Sequence, residues 1–270
     1  MHAFRVTVPE ANEDQATALL WEAGTAGIEV GVAPGGRSAL LAYFPTEASL
    51  SALEEAFEDV TIEAVPIPEV DWVARFRETF RAFRVGRFAI APPWDRPADD
   101  DDLIVVDPGR AFGTGTHEST RLCLGALEDL AAVRALGRVI DVGTGTGILG
   151  VAALRLGARL VVASDTDPEA TASAVHHAGL NAAPLRVVRG DGAAPFRPGT
   201  FDVVLANLSA PLLVTHAAPI ARLRRRGGAL VLSGLLDSDL PEVQAAYAAC
   251  GRFDVRQDGE WAAIVCRGAA

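Results

Sequence analysis

The sequence contains no lysine, so all 24 of its basic residues are arginine. We attribute this to a GC-rich coding bias rather than to function. No stretch reaches the roughly 18 uncharged apolar residues of a membrane span. The first residues lack the basic region and apolar core of a secretory signal. We therefore expect a cytoplasmic protein with no membrane segment.

Cysteine is scarce as well. Cys123, Cys250 and Cys266 are odd in number, widely spaced and set among apolar residues. A disulfide framework or a structural metal site needs paired or clustered cysteines. We expect reduced, buried thiols and no metal.

Basic residues are also fewer than acidic ones, so the chain carries a net charge of -11. A surface that binds nucleic acid is normally basic, so we expect no direct nucleic-acid binding. An acidic surface is compatible with a cationic partner, and solubility alone also explains it. The length of 270 residues allows one large domain, or a large and a small one.

Residues 1–65 predict a small ferredoxin-like α+β domain. The expected order is βαββαβ, with Thr46 as the N-cap of the second helix. The expected strands are 4–8, 28–33, 38–44 and 60–65, and the expected helices are 10–23 and 49–57.

Residues 66–94 predict a linker. Within residues 69–83, aromatic side chains recur at steps of three and four residues, which is typical of an amphipathic helix. These side chains are Trp72, Phe76, Phe80 and Phe83. Strands are expected at 88–91 and 103–106, around a solvated acidic loop at 99–102.

Residues 95–270 predict a doubly wound, Rossmann-like α/β domain, because apolar strands alternate with helices. The expected strands are 138–142, 160–164, 185–188, 201–206 and 228–233, and the expected helices are 147–156, 168–178 and 212–223. Residues 253–256 and 262–266 are expected to close the sheet as antiparallel strands.

A glycine loop follows the first strand of this domain: Asp141-Val-Gly143-Thr-Gly145-Thr-Gly147. Glycine admits positive φ and lets a ligand approach the backbone. The loop also contains the G-x-G-x-x-G pattern of NAD sites, and Asp165 after the next strand suits a ribose in either case. The loop alone therefore leaves two interpretations open, an NAD-dependent oxidoreductase and a methyltransferase that uses S-adenosylmethionine (AdoMet).

Three features favour AdoMet. Asp141 opens the loop, where a carboxylate can hold the loop and the cationic methionine end but would repel pyrophosphate. Gly190-Asp191-Gly192 follows the third strand, where AdoMet enzymes contact adenine. Asn207 ends the fourth strand, where its amide can orient an acceptor amine, although Asn is also a common helix N-cap.

A second block lies upstream: Asp107-Pro-Gly-Arg-Ala-Phe-Gly-Thr-Gly-Thr-His117. Together with Asp71-Trp72 and Asn207-Leu-x-Ala210, it resembles the PrmA family of methyltransferases, which modify large-subunit ribosomal protein L11. The likeness spans nearly the whole chain. The chain departs from the family at Glu118-Ser119, where Pro-Thr is frequent, and at His177, where Asn is frequent. A third departure is Pro211, which lies one position earlier than the proline of many members of the family.

The resemblance implies an AdoMet-dependent protein methyltransferase that acts as a monomer on lysine ε-amines and the terminal α-amine of L11. Residues 1–65 would recognise the substrate. The implied cofactor contacts are Phe112, Gly113, Thr120, Gly143, Gly145, Asp165, Asp191 and Asn207. The implied residues for catalysis are Thr114, His117 and Asn207, which would orient the acceptor. Without the family, His117 is interpreted as a helix cap.

Three other functions remain open: an AdoMet enzyme for a small molecule, the NAD-dependent oxidoreductase, and a non-catalytic ribosome-associated binding module. Intact cofactor positions at Thr120 and Asn207 disfavour the last.

Overall fold

The computed structural model describes residues 2–46, 48–57, 59–66, 80–98, 100–108 and 113–268. Contacts divide the chain into two compact units, Met1–Asp71 and Trp72–Ala270. Among the described residues, no helix is both long and apolar enough to cross a bilayer.

The first unit is a four-stranded antiparallel sheet in the order β2-β3-β1-β4, with both helices on one face. Its elements are β1 (His2–Pro9), α1 (Glu13–Glu22), β2 (Gly27–Ala33), β3 (Arg37–Phe44), α2 (Ser51–Ala56) and β4 (Thr61–Val65). Alternate residues of β1 and β3, such as Val6 and Leu40, are fully buried beneath Leu20 of α1. This confirms the ferredoxin-like fold.

The predicted N-cap of α2 was wrong. The helix begins at Ser51 behind Leu50, and no side chain caps it. Leu50 and Leu53 are both buried. Burial of these leucines therefore fixes the start of the helix, and Thr46 lies too far upstream to cap it.

The second unit opens with a small sheet of β5 (Phe83–Val85), β6 (Phe88–Ala91) and β7 (Leu103–Val105). The strands expected at 88–91 and 103–106 are confirmed. The helix expected at 69–83 does not reach its predicted end, because Phe83 pairs with Ile90 in the sheet. Apolar residues alternate at Phe83 and Val85, and this strand period overrides the helical spacing. Residues 67–79, with Trp72 and Phe76, lie outside the described part of the chain.

A seven-stranded sheet forms the body of this unit, in the order β10-β9-β8-β11-β12-β14-β13. The strands are β8 (Arg138–Val142), β9 (Leu160–Asp165), β10 (Arg186–Arg189), β11 (Phe201–Asn207), β12 (Arg224–Leu236), β13 (Phe253–Asp258) and β14 (Trp261–Arg267). The first five are parallel, and β14 pairs antiparallel with β12 and β13. The predicted doubly wound fold is confirmed, including the two closing strands.

Helices cover both faces of this sheet. They are α3 (Glu118–Val133), α4 (Ile148–Arg155), α5 (Pro168–Leu180), α6 (Ala210–Thr215), α7 (Ala217–Ala221) and α8 (Leu240–Ala246). Leu127 and Ile148 lie in the core on one face, and Leu213 and Ile220 in the core on the other.

The single helix expected at 212–223 is two short helices, α6 and α7, which meet at His216. Pro219 has no N–H, and its ring clashes with the carbonyl four residues back. That carbonyl belongs to Thr215, the last residue of α6. Proline therefore ends one helix and turns the chain into the next.

Candidate active site

The strand order reverses at β8, which lies between β9 and β11. In an open parallel sheet, ligands bind in the crevice at such a switch point, outside the carboxyl ends of the strands. A cleft of about 700 Å³ lies there. Its walls come from the loops after β8, β9, β10 and β11, with His117 and Trp261 at one side.

The glycine loop between β8 and α4 forms the floor of the cleft. Gly143, Gly145 and Gly147 have φ values of 71°, 54° and 81°, a region that favours glycine. A Cβ atom on Gly143 would lie 2.3 Å from the Cδ2 atom of Leu208. The N–H of Gly143 donates to the carbonyl of Ser164 at 2.8 Å, which ties the loop to β9.

Asp141 lies behind this loop, with 1% of its surface exposed. Its Oδ2 accepts a hydrogen bond from the Thr144 hydroxyl at 2.6 Å. Burial raises the pKa of Asp141 to about 6, and the charge of Asp165 acts in the same direction. Asp141 holds the loop through Thr144, and its Oδ1 atom is buried without a hydrogen-bond partner among the described residues; its contact with the methionine end stays a prediction.

Asp165 ends β9 and lines the cleft. One carboxylate oxygen accepts the N–H of Gly145 and the other accepts the N–H of Asp167, each at 3.1 Å. Two backbone donors therefore fix the carboxylate. Each oxygen keeps lone-pair capacity for a ligand hydroxyl.

Asn207 ends β11, and its amide faces two different surroundings. Its Nδ2 donates to the Thr120 hydroxyl at 3.5 Å. Its Oδ1 is buried without a hydrogen-bond partner among the described residues. The helix-cap alternative is wrong, because Ser209 occupies the N-cap of α6 and Asn207 is still part of the strand. Pro211 falls in the first turn of α6, where proline is tolerated, so it leaves Asn207 in the cleft.

The upstream block is anchored in its middle and at its end. Gly113 accepts a hydrogen bond from the Thr146 hydroxyl at 2.5 Å, which joins the block to the glycine loop. His117 is the N-cap of α3 and accepts the N–H of Ser119 at 3.2 Å. Its ring also packs edge-on against Trp261 at 4.4 Å. The cap interpretation of His117 is confirmed, and the same residue lines the cleft.

The beginning of this block is held by α5. Asn181 is buried and brackets Val105, accepting its N–H at 2.7 Å and donating to its carbonyl at 2.8 Å. His177 accepts the N–H of Asp107 at 3.0 Å, and burial lowers the pKa of this imidazole. A neutral His177 therefore replaces the frequent Asn as a structural acceptor.

The structure brings six of the predicted site residues to the cleft wall and leaves three behind it. His117, Gly143, Gly145, Asp165, Asp191 and Asn207 line the cleft, whereas Gly113, Thr114 and Thr120 do not. The Thr114 hydroxyl pairs with that of Thr116 at 2.9 Å. Phe112 lies outside the described residues.

Sequence reasoning missed a number of residues that line the cleft, among them Leu208, Leu212, His216 and Trp261. A signal existed for Trp261. Asp258-Gly259 is a hairpin turn sequence, and the turn returns the chain at the carboxyl edge of the sheet. Arg121 of α3 pairs with Asp258 at 2.8 Å, which fixes this hairpin beside His117.

Comparison with known proteins gives a consistent result. The family described as ribosomal protein L11 methyltransferase (PrmA) matches residues 2–268. The enzyme of that name from Geobacter sulfurreducens is 42% identical over 214 residues, which cover 75% of this chain and 70% of the relative. The Myxococcus xanthus enzyme is 34% identical over 283 residues, 97% of this chain and 96% of the relative.

Among solved structures, the ribosomal protein L11 methylase of Lactobacillus delbrueckii subsp. bulgaricus superposes with a TM-score of 0.63 at 30% identity. The match covers 70% of this chain and all of that one. Together with the cleft, these matches establish that the chain belongs to the PrmA family of ribosomal protein L11 methyltransferases.

Proposed function

We propose that this chain transfers methyl groups from AdoMet to amines of ribosomal protein L11. One observation carries the proposal above all: Asn207, which lines an acidic cleft at the sheet switch point, has a buried amide oxygen, Oδ1, with no hydrogen-bond partner among the described residues. The amines are lysine ε-amines and the terminal α-amine. The protein acts as a monomer in the cytoplasm, where ribosomal proteins are made.

The charges of the cleft fit AdoMet better than a dinucleotide. Asp165, Asp167 and Asp191 line it, and no arginine does among the described residues. AdoMet carries a sulfonium and an ammonium group, which carboxylates attract. Pyrophosphate would face three carboxylates without a cation, and like charges in one site repel. The same charges disfavour a nucleic-acid substrate in this cleft.

The cofactor would lie along the glycine loop. Asp165 would accept hydrogen bonds from the ribose hydroxyls, and Asp191 would lie beside the adenine. Gly143 and Gly145 would allow close approach of the methionine part, and Gly113 is joined to their loop through the Thr146 hydroxyl. Thr120 would act indirectly, by accepting a hydrogen bond from Asn207. When bound, AdoMet supplies an electrophilic methyl group.

The acceptor amine must be neutral to attack. For a lysine at its ordinary pKa, deprotonation at pH 7 costs roughly 4–5 kcal/mol. Transfer into an apolar part of the cleft lowers that pKa by desolvation. Asn207 Oδ1 would accept an amine N–H and so aim the nitrogen lone pair, while His117 and Thr114 shape the acceptor side. Positioning of this kind supplies much of the acceleration.

The charge distribution supports the first unit as the substrate-recognition domain. Residues 1–71 contain 13 of the 35 acidic residues and 2 of the 24 arginines, so they carry the entire net charge of -11. The remaining 22 acidic residues and 22 arginines balance. A lysine-bearing protein is attracted to such a surface, and complementary fields speed its association.

The direct test incubates the protein with purified L11 and AdoMet and measures the intact mass of L11. We expect mass increases in whole methyl increments, located on amines by fragmentation. The enzyme contains no lysine, so every methylated ε-amine must belong to the substrate. Unchanged L11 alongside confirmed AdoMet binding would reject L11 and favour a small-molecule acceptor.

A further inference from the structure

Arginines lie along one edge of the seven-stranded sheet, where the parallel strands begin and the antiparallel strand β14 ends. This is the edge opposite the cleft. The arginines are Arg186 at the start of β10, Arg159 before β9, Arg138 at the start of β8, residues 224–226 at the start of β12, Arg252 before β13 and Arg267 at the end of antiparallel β14. We call this row the arginine edge. Only β11 lacks one, and Asp202 is its second residue.

Most of this positive charge is exposed and uncompensated. Arg159, Arg186, Arg226, Arg252 and Arg267 are exposed, and none of them forms an ion pair with a carboxylate of the described chain. Arg225 is the exception among the exposed arginines of this row, pairing with Asp202 at 2.5 Å. One further carboxylate lies at this edge, that of Asp254, which is the second residue of β13.

Two partly buried arginines make the edge rigid. Arg224 donates to the carbonyl of Cys250 at 2.9 Å, which joins the start of β12 to the segment before β13. Arg134 donates to the carbonyl of Gly227 at 2.8 Å. The exposed guanidinium groups therefore project from a fixed backbone.

The second unit is neutral as a whole but polarised along its strands. Asp165, Asp191 and Asp258 lie at the carboxyl edge together with Arg189 and Arg121, whereas the row of exposed arginines lies at the amino edge. The net charge of -11 led us to expect no nucleic-acid binding. That expectation was based on the charge of the whole chain, which does not describe this edge.

We propose that the arginine edge binds the phosphate backbone of RNA, while methyl transfer takes place at the opposite edge of the same sheet. Guanidinium groups bind phosphate oxygens in bidentate pairs. Strands lie about 4.8 Å apart, so seven strands present a row of roughly 29 Å, and a linear row suits a linear polyanion. Trp94 is the only strongly exposed aromatic side chain in the described part of this unit, and it lies outside the sheet. Without rings for base stacking, contact is with phosphates and independent of sequence.

Fluorescence anisotropy with a labelled single-stranded RNA of mixed sequence tests the proposal, over a salt range of about 50 to 200 mM. The test variant combines Arg226→Gln in β12, Arg252→Gln just before β13 and Arg267→Gln at the end of β14. The matched control loses the same charge elsewhere, as Arg81→Gln with Arg84→Gln and Arg96→Gln. Calorimetry with AdoMet verifies that each variant is folded.

We expect the test variant to bind RNA about 100-fold more weakly at 0.1 M salt, and its salt slope to fall by about 2, because each phosphate contact on a single strand contributes about 0.7. The control should stay within about threefold of the wild type. Absence of RNA binding by the wild type, or an equal loss in the control, would overturn the proposal. Polyglutamate binding as tight as RNA binding would also overturn it, in favour of an acidic protein partner. None of these outcomes depends on methylation of L11.

Discussion

Asn207 and Thr120 are joined by a hydrogen bond of 3.5 Å, from the amide nitrogen to the hydroxyl oxygen. The Oδ1 atom of the same amide is buried and has no hydrogen-bond partner among the described residues. A buried polar atom without a partner costs free energy. Under the proposed function, an N–H group of the acceptor amine would supply the missing partner.

The Asn207→Ala variant is expected to transfer methyl groups at least about 100-fold more slowly, because the lost group acts mainly on transfer geometry. Its AdoMet affinity should change far less. Thr120→Val keeps the amide but removes its anchor, so an intermediate loss of kcat is expected. Single-turnover rates and calorimetry measure the two quantities separately. If Asn207→Ala loses AdoMet binding while bound cofactor still reacts at the normal rate, the acceptor role is wrong.

Gly143→Ala is expected to weaken AdoMet binding strongly, since the added Cβ would lie 2.3 Å from the Leu208 side chain, which must then turn aside in the cleft that it lines. The matched control is Gly157→Ala. Gly157 has a similar φ of 85°, but a Cβ there meets nothing within 4 Å. Both variants should lose about 1–2 kcal/mol of stability from left-handed backbone strain, whereas only Gly143→Ala should lose AdoMet affinity. Equal AdoMet affinities in the two variants would show that the loop is not the binding surface.

Adding Leu208→Ala to Gly143→Ala tests the cause of that loss. The second substitution removes the clashing side chain, and we expect part of the AdoMet affinity to return. Strain at Gly143 alone predicts no recovery.

Asp141 makes stability depend on pH. Its pKa is about 6 in the folded chain against an ordinary 3.8, so the folded state binds the proton more tightly than the unfolded state. Stability from this residue is therefore present below pH 4 and is lost as the pH rises through 6, by about 3 kcal/mol. Asp141→Asn removes this dependence while an amide oxygen can still accept from Thr144.

Urea unfolding from pH 4 to pH 7 measures the effect. The stability of Asp141→Asn relative to the wild type should rise by about 3 kcal/mol across this range. The exposed Asp254→Asn serves as control and should run parallel to the wild type. Parallel curves for Asp141→Asn as well would mean that Asp141 is not destabilised by burial.

Recognition of L11 by the acidic first unit is tested with Glu10→Gln, Glu54→Gln and Glu55→Gln combined, all exposed. The KM for L11 should rise at least about fivefold at low salt and less at high salt, because salt screens exposed charges. The value of kcat should stay unchanged. Removing three exposed carboxylates from the second unit, at Asp129, Glu242 and Asp254, is the charge-matched control. An equal rise in the control would assign the effect to net charge rather than to the first unit.

The fold could be predicted largely from the sequence, because the spacing of apolar residues and the positions of turn residues determine where helices and strands begin and end. The strand that ends at Val142 and the helix that follows Gly147 are examples. Prediction failed where distant contacts decide. Phe83 fits a helix by spacing but pairs with Ile90 in a sheet, and Asn207 fits a helix cap but is held in its strand. Strand β14 was predicted, but the place of Trp261 beside His117 depends on contacts between residues far apart in the sequence, such as the pair of Arg121 with Asp258.

Calorimetric titration with AdoMet and with NADH tests the central claim most directly, since the two ligands require opposite charges in one cleft. We expect AdoMet to bind with one site per chain and NADH to release no heat. Binding of NADH at this cleft, or no heat with AdoMet, would contradict the account.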